Sequence, residues 1–250
     1  MPGERVPEDY IDRLVEFWPE PREQLHFGGW SATYELVEKL NLDKTDDLLD
    51  ICCGEGGTAC WLAKKYRRRV SGIDALERAI VKARECAKNE NVEDRTTFKV
   101  ADIFDLPFQD SSFNVVYGQD PDGLAHQERV EIFRECRRVL RPNRKIGFQH
   151  WLPHANTPQE DLEYFEKVTV GTGYPYMTRL CVTDYIEDLK AGGFVNIIVD
   201  DLSEMYMNHA LKIQKIFHEK DQPIDTWHGM LIELYDKGIK IGVRIIAESK

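Results

Sequence analysis

The chain has 250 residues, 42% of them hydrophobic and 10% aromatic, with 33 basic and 44 acidic side chains for a net charge of −11. That length allows one large domain whose core needs no staple, and the composition excludes a disordered or fibrous chain. The acidic balance argues against nucleic acid and anionic membranes as partners, because phosphate binding needs clustered cations.

No run approaches the ~20 apolar residues of a membrane-spanning helix. Residues 1–10 hold Glu4, Glu8 and Asp9 without an apolar core, so a signal peptide is not expected. Six cysteines without a C-x-x-C spacing predict reduced thiols in a cytoplasmic protein and no structural zinc.

Helices are predicted over 9–18 and 31–41, the second with Ser31 as N-cap. Residues 47–53 read as a buried strand entering a glycine turn, and 56–66 as the helix that follows. Residues 69–74 form a strand ending on an acid, 76–89 a helix, 96–101 a third strand and 112–118 a fourth. A charged amphipathic helix over 126–140 is stopped by Arg141-Pro142. Residues 145–151 read as a fifth strand. Then come a helix over 158–170, a Gly/Tyr/Pro-rich segment over 171–176, and a helix over 183–190 capped by Thr183 and stopped at Gly192-Gly193. A strand over 194–200, a long helical stretch over 203–236 and an alternating strand over 239–247 complete the chain. Strands alternating with helices predict an α/β fold, a doubly wound parallel sheet covered on both faces. No composition break marks a second domain. A single domain is expected, with a helical lid over 1–45, a ligand-binding core over 46–151, further lid segments over 152–182 and 203–237, and last strands over 194–200 and 239–247.

The most informative segment is Leu48-Leu49-Asp50-Ile51-Cys52-Cys53-Gly54-Glu55-Gly56-Gly57. Glycines between a strand and a helix let the backbone approach a ligand, and the helix amides offer donors. Asp74 ends the next strand, where an acid accepts from ribose hydroxyls. Asp102 follows the third strand, where an adenine edge would lie. The third glycine of the dinucleotide fingerprint G-x-G-x-x-G is absent, and Glu55 in the turn disfavours a polyphosphate. A nucleoside with a cationic sulfonium instead of phosphates suits these acids, and S-adenosylmethionine answers that description. The basic run over 64–69 sits at a helix C-terminus, where cations complement the dipole.

Asp50-Ile-Cys-Cys-Gly54-Glu-Gly56 resembles the first motif of class I S-adenosylmethionine-dependent methyltransferases. Val100-Ala-Asp102 through Val-Val-Tyr117 resembles their second and third motifs, and Arg138-Val-Leu-Arg-Pro142 their approach to the fifth strand. His26-Phe-Gly-Gly-Trp30, Gly118-Gln-Asp120 and Trp227-x-Gly229 are similar to the glycine, sarcosine and dimethylglycine N-methyltransferases, with the phosphoethanolamine methyltransferases as near relatives. The resemblance implies a Rossmann-like seven-stranded sheet whose last strand is antiparallel. Two departures stand out. Cys52 occupies the place of the family's first glycine, and the segment over 119–126 is longer than the relatives' equivalent.

By this resemblance Asp50, Cys52, Gly54 and Gly56 shape the turn around the amino-acid end of the cofactor. Asp74 holds both ribose hydroxyls, Ala75 and Leu76 flank the adenine, and Asp102 and the Ile103 backbone read its edge. Gln119 lines the methionine moiety, with Tyr10 and Trp30 arriving from the lid. His126, and after it His150, are the candidate bases, because an imidazole has a suitable pKa. Substrate contacts are expected from Asp120, Trp151, Tyr174, Tyr176, Met177, Arg179, Tyr206 and Trp227, with His228 beside them. Aromatic faces would suit a methylated cation and Arg179 a carboxylate or phosphate. The expected activity is methyl transfer from S-adenosylmethionine to a small-molecule acceptor, most simply an amine nitrogen of the amino-acid or phosphobase type. The alternatives are O-methylation of a natural-product hydroxyl or sugar, and a non-catalytic cofactor-binding protein. No carboxylate triplet suggests a metal, and a monomer or homodimer is expected.

Overall fold

A computed structural model describes residues 26–43, 46–121, 128–171, 181–221, 223–224 and 226–250. The strands are β1 (Asp47–Ile51), β2 (Arg69–Asp74), β3 (Thr96–Val100), β4 (Phe113–Gln119), β5 (Leu140–Pro153), β6 (Phe194–Asp201) and β7 (Ile241–Ser249). The described helices are α1 (Gly29–Leu40), α2 (Gly57–Tyr66), α3 (Glu77–Glu90), α4 (Arg129–Val139), α5 (Gln159–Gly171), α6 (Val182–Ala191), α7 (Ser203–Glu219) and α8 (Thr226–Asp236). The strands make one seven-stranded sheet in the order β3-β2-β1-β4-β5-β7-β6. β1 to β5 run parallel, and β7 lies antiparallel to both β5 and β6.

Leu48, Leu49, Asp50 and Ile51 are all buried, as expected of a central parallel strand with helices on both faces. On one face α1, α2 and α3 bring Leu36, Leu40, Ala59, Leu62, Ile80 and Ala83 over Leu48, Val70, Val115 and Tyr117. On the other, Phe133 and Val139 of α4 and Tyr185 and Leu189 of α6 cover Leu49, Ile51, Val116 and Phe148. The chain leaves β1 toward β2 and β3, then returns to β4 on the other side. This reversal opens a crevice beyond the carboxyl ends of β1 and β4, where α/β sheets take their ligands.

Several boundaries differ from the sequence reading, each for a local reason. α1 starts at Gly29 behind a left-handed Gly28 (φ 81°), so Ser31 falls inside the first turn and is not the N-cap. α6 is capped at Cys181 rather than Thr183, with Asp184 reaching back to the Cys181 amide at 2.8 Å in a capping box. Pro142 ends α4, but the chain continues extended, so β5 begins at Leu140 and its pairing with β4 shifts register between Phe113 and Val115. The stretch over 203–236 is two helices, broken where Asp221 takes φ 54° shortly before Pro223.

Candidate active site

The turn after β1 alternates left-handed residues: Cys52, Gly54 and Gly56 have φ of 56°, 51° and 76°. Glycine adopts this conformation freely, whereas a side-chain-bearing residue gives up about 1–2 kcal/mol. Cys52 bears that cost at the place of the family's first glycine. Gly56 has a second reason to be glycine, since a Cβ there would lie 2.9 Å from both Ala83 Cβ and Phe98 Cζ. Gly54 is the opposite case. A Cβ on it would meet nothing within 4 Å, so this backbone faces open space in the crevice.

Asp74, half-buried at the end of β2, ties the turn to the next helix. The Gly54 amide donates to its Oδ2 at 3.0 Å and the Leu76 amide to its Oδ1 at 3.0 Å. Burial pushes its carboxyl upward, and bonds from the Leu76, Gly54 and Ala75 amides oppose the shift. Each carboxylate oxygen accepts from more than one donor, so both can still receive a hydroxyl proton. Ala75 is exposed and Leu76 half-exposed beside it. Asp102 is exposed, its Oδ1 accepting from the Phe104 amide at 3.0 Å, and Ile103 is buried behind it. Glu55 is turned onto α3, where its carboxylate meets Lys82 Nζ at 2.7 Å.

Asp50 lies deeper, 4% exposed, and accepts from the Tyr117 hydroxyl at 2.9 Å. Burial raises its carboxyl to about 8, with the hydrogen bond from Tyr117 opposing and the neighbouring Asp74 charge adding to the rise. A cation placed nearby would favour its ionised form. Among the described residues neither Asp50 nor Asp74 pairs with a cationic side chain, which suits a sulfonium ligand.

Beyond β4 a polar cluster joins four elements. Gln119 Nε2 donates to Gln149 Oε1 at 2.7 Å and to Thr33 Oγ1 at 3.1 Å, and its Oε1 accepts from Thr58 Oγ1 at 2.9 Å. Gln149 in turn donates to the Ala32 carbonyl at 2.6 Å. The Gln119 amide is thus spent on fastening α1 and α2 to the sheet, and its carbon stem is what remains for a ligand. Asp120 (φ 46°) accepts from the Phe27 amide at 2.7 Å and from the Tyr206 hydroxyl at 3.4 Å. Phe27 meets Trp151, Tyr206 and His228 at ring separations of 6.3, 5.7 and 5.4 Å, and Trp151 meets Trp227 at 5.4 Å. Asp120 is therefore held at the end of β4 by two members of a mostly buried aromatic cluster.

Residues 48–143 match the family model described as a methyltransferase domain. The chain is 30% identical over 210 residues to 27-O-demethylrifamycin SV methyltransferase of Amycolatopsis mediterranei (strain S699), covering 78% of this chain and 74% of that protein. The chain belongs to the S-adenosylmethionine-dependent methyltransferases. To phosphoethanolamine N-methyltransferase 1 of Arabidopsis thaliana it is 31% identical over 210 residues, covering 80% of this chain and 39% of that one. It spans about half of another bacterial relative, 48% of its length. The fold matches Haemonchus contortus phosphoethanolamine N-methyltransferase 2, solved with phosphomonomethylethanolamine and S-adenosylhomocysteine. That match has a TM-score of 0.76 at 19% identity, covering 97% of this chain and 57% of that one.

The remaining candidates of this methyltransferase chain fall into three groups. Tyr10, His126, Tyr174, Tyr176, Met177 and Arg179 lie outside the described residues. Trp30 is half-buried against Tyr34 and Trp61, at ring separations of 6.1 and 5.3 Å. Trp151 and Tyr206 are 2% and 0% exposed, so they form the wall behind the crevice rather than a solvent-facing cage. Among the described residues, no group of three metal-binding side chains gathers and no helix is long and apolar enough to cross a membrane.

His150 is 1% exposed, with Nδ1 accepting from the Trp151 amide at 2.9 Å and its ring 5.7 Å from Tyr185. Burial, with the Arg129 charge nearby, lowers its imidazole to about 3. Such a ring stays neutral at working pH and packs under α6, which removes the geometric support for a base there. Its depressed pKa makes a stability statement instead. The unfolded chain takes up a proton on this histidine near pH 6.5 and the folded one does not, so stability falls as pH drops below 6.5. Between pH 7 and pH 5 the loss from this residue is roughly 2 kcal/mol. His150→Gln should flatten the fall in melting temperature across that interval, and an unchanged fall would place the acid sensitivity elsewhere.

Thr33, Thr58, Tyr117, Gln149 and the Phe27 amide were not singled out from sequence. Tyr117 shares a strand face with Val115, which could have marked it as inward. The partners of the others are far away in the chain, and no local pattern announces them.

Proposed function

We propose that this chain transfers the methyl group of S-adenosylmethionine to an amine nitrogen of a small acceptor. The observation that carries this reading is Asp120: a half-buried carboxylate fixed at the end of β4 by the Phe27 amide and the Tyr206 hydroxyl. A carboxylate fixed in this way suits an ammonium group through charge. A neutral hydroxyl gains less from it.

The cofactor supplies, when bound, a methyl group already activated by its sulfonium. Asp74 would hold the ribose, Ala75 and Leu76 the adenine face, Asp102 and Ile103 the adenine edge, and the open backbone at Gly54 the amino-acid end. The chain's own work is then to orient the acceptor and exclude water. Asp120 draws the acceptor nitrogen toward the end of β4 and accepts the proton that the amine must shed to become nucleophilic. Tyr206 is buried, and its hydroxyl is held protonated by burial and the Asp120 charge, so it steadies Asp120 as a donor.

Asp120→Asn keeps the size of the side chain but removes the charge. The expected result is a fall in kcat with amine acceptors of about 10²–10⁴-fold, with cofactor affinity near that of the unmodified chain. A wild-type kcat would take Asp120 out of the reaction. Labelled S-adenosylmethionine offered with amines, amino acids, phosphobases and phenols tests the acceptor class directly. Transfer to amines supports the reading, and transfer to hydroxyls alone overturns it. The second reading, O-methylation of a natural-product hydroxyl, is favoured by the Amycolatopsis relative, whose name describes methylation at an oxygen and of which the chain covers 74%.

A further inference from the structure

Helices α2 and α3 lie side by side behind the cofactor turn, and matched pairs run down their length. Glu55 meets Lys82 at 2.7 Å, Gly56 packs on Ala83, and Lys64 meets Glu90 at 2.6 Å. Between these pairs Cys60 and Cys86 hold the matching positions, and Cys86 packs on the buried cluster that contains Cys60. Residues 56, 60 and 64 rise one turn at a time on α2, as 82, 86 and 90 do on α3, so the thiol pair is a built rung. Cys60 is 1% exposed, whereas Cys86 is half-buried and can be reached from solvent.

We propose that Cys60 and Cys86 form a redox modification site that closes to a disulfide under attack by a low-molecular-weight disulfide and weakens cofactor binding. Cys86 is the thiol that a solvent-borne disulfide can reach, and Cys60 is closed off from solvent. Cys86 is therefore the attacking thiolate. It bonds to one sulfur of the incoming disulfide, whose S–S bond breaks and expels one thiolate. Cys60 then loses its proton and attacks Cys86 Sγ, breaking the mixed disulfide and expelling the second thiolate. Two protein thiols are oxidised, one small disulfide is reduced, and the two protein protons end on the two expelled thiolates.

The consequence follows from packing. A disulfide brings the sulfurs to about 2.05 Å, drawing α2 onto α3 one turn below Gly56. There is no slack there, since even a Cβ on Gly56 would lie 2.9 Å from Ala83 and Phe98. The strain must go into the turn at 52–57. The effect on binding rests on the cofactor reading above, while formation of the cross-link does not.

The test treats the full chain with oxidised glutathione, alkylates remaining thiols, and maps the products by mass spectrometry beside calorimetric titration with S-adenosylhomocysteine. The expected result is a Cys60–Cys86 cross-linked peptide, and an affinity several-fold lower that dithiothreitol restores. Cys60→Ser should stop at a glutathione adduct on Cys86, and Cys86→Ser should give neither product. Cys86→Ala serves the same purpose if the serine variant melts early. A stable adduct on unmodified protein, a cross-link elsewhere, or a cross-link with unchanged affinity would overturn the proposal. Reduced protein that binds no S-adenosylhomocysteine would overturn the cofactor reading instead, leaving the mass result to decide the thiol pair.

Discussion

Asp74→Ala should weaken S-adenosylmethionine binding by roughly 1.5–3 kcal/mol, or about 10- to 150-fold. Two losses combine. The ribose loses an ionised acceptor, whose hydrogen bonds are the stronger kind. The turn also loses its clasp, because the Gly54 and Leu76 amides, now held at 3.0 Å by the two carboxylate oxygens, are released together. Asp74→Asn separates the two effects. It keeps one acceptor oxygen for the backbone and gives up the charge, so its affinity should fall between wild type and alanine. Equilibrium dialysis with labelled cofactor reads all three proteins. Wild-type affinity in the alanine variant would show that the ribose is held elsewhere.

Asp50→Asn should do two opposite things: stabilise the ligand-free protein at neutral and alkaline pH, and weaken cofactor binding. Its carboxyl titrates near 8 in the fold against 3.8 in the unfolded chain. Below pH 4 both states are protonated and the residue costs nothing. As pH rises the unfolded chain loses this proton first, and stability falls until pH passes 8. Each pH unit in that window is worth about 1.4 kcal/mol, so the full cost is several kcal/mol. Asparagine keeps an oxygen for the Tyr117 hydroxyl and removes the charge. The variant should therefore melt higher than wild type at pH 8.5 and similarly at pH 4. A bound cation would favour the ionised carboxylate, so the variant should lose affinity for S-adenosylmethionine more than for S-adenosylhomocysteine, which lacks the sulfonium charge. Identical melting curves at pH 8.5 would show that Asp50 is already neutralised in the fold.

The βα unit over 47–74 is legible in the sequence because several signals agree there. An unbroken apolar run, a glycine turn and an acid at the next strand end all belong to one βα unit, and the chemistry is local. The same reading overestimated the reach of single residues. Gln119 was expected to face the methionine end, but its amide binds Gln149, Thr33 and Thr58. Glu55 was expected among the carboxylates of the site, but Lys82, 27 residues on, turns it onto α3. His150, the second candidate base, lies within β5, which runs on to Pro153 and buries it against Tyr185. In each case the deciding partner comes from another element, and neither hydropathy nor spacing encodes it. The net charge of −11 divides in the same way. Asp50, Asp74 and Asp120 are held inside or beside the crevice. Glu90 and Asp47 instead answer the basic run at the end of α2, pairing with Lys64 and Arg69 at 2.6 Å each.

The central claim is a site in which the Gly54 backbone and the Asp74 and Asp50 carboxylates receive a sulfonium nucleoside. Calorimetric titration of the unmodified chain with S-adenosylmethionine near pH 7.5 tests it most directly. The expected result is saturable binding of one molecule per chain, with proton release as Asp50 ionises, seen as a binding heat that changes with the ionisation heat of the buffer. No saturable heat at millimolar cofactor would contradict it.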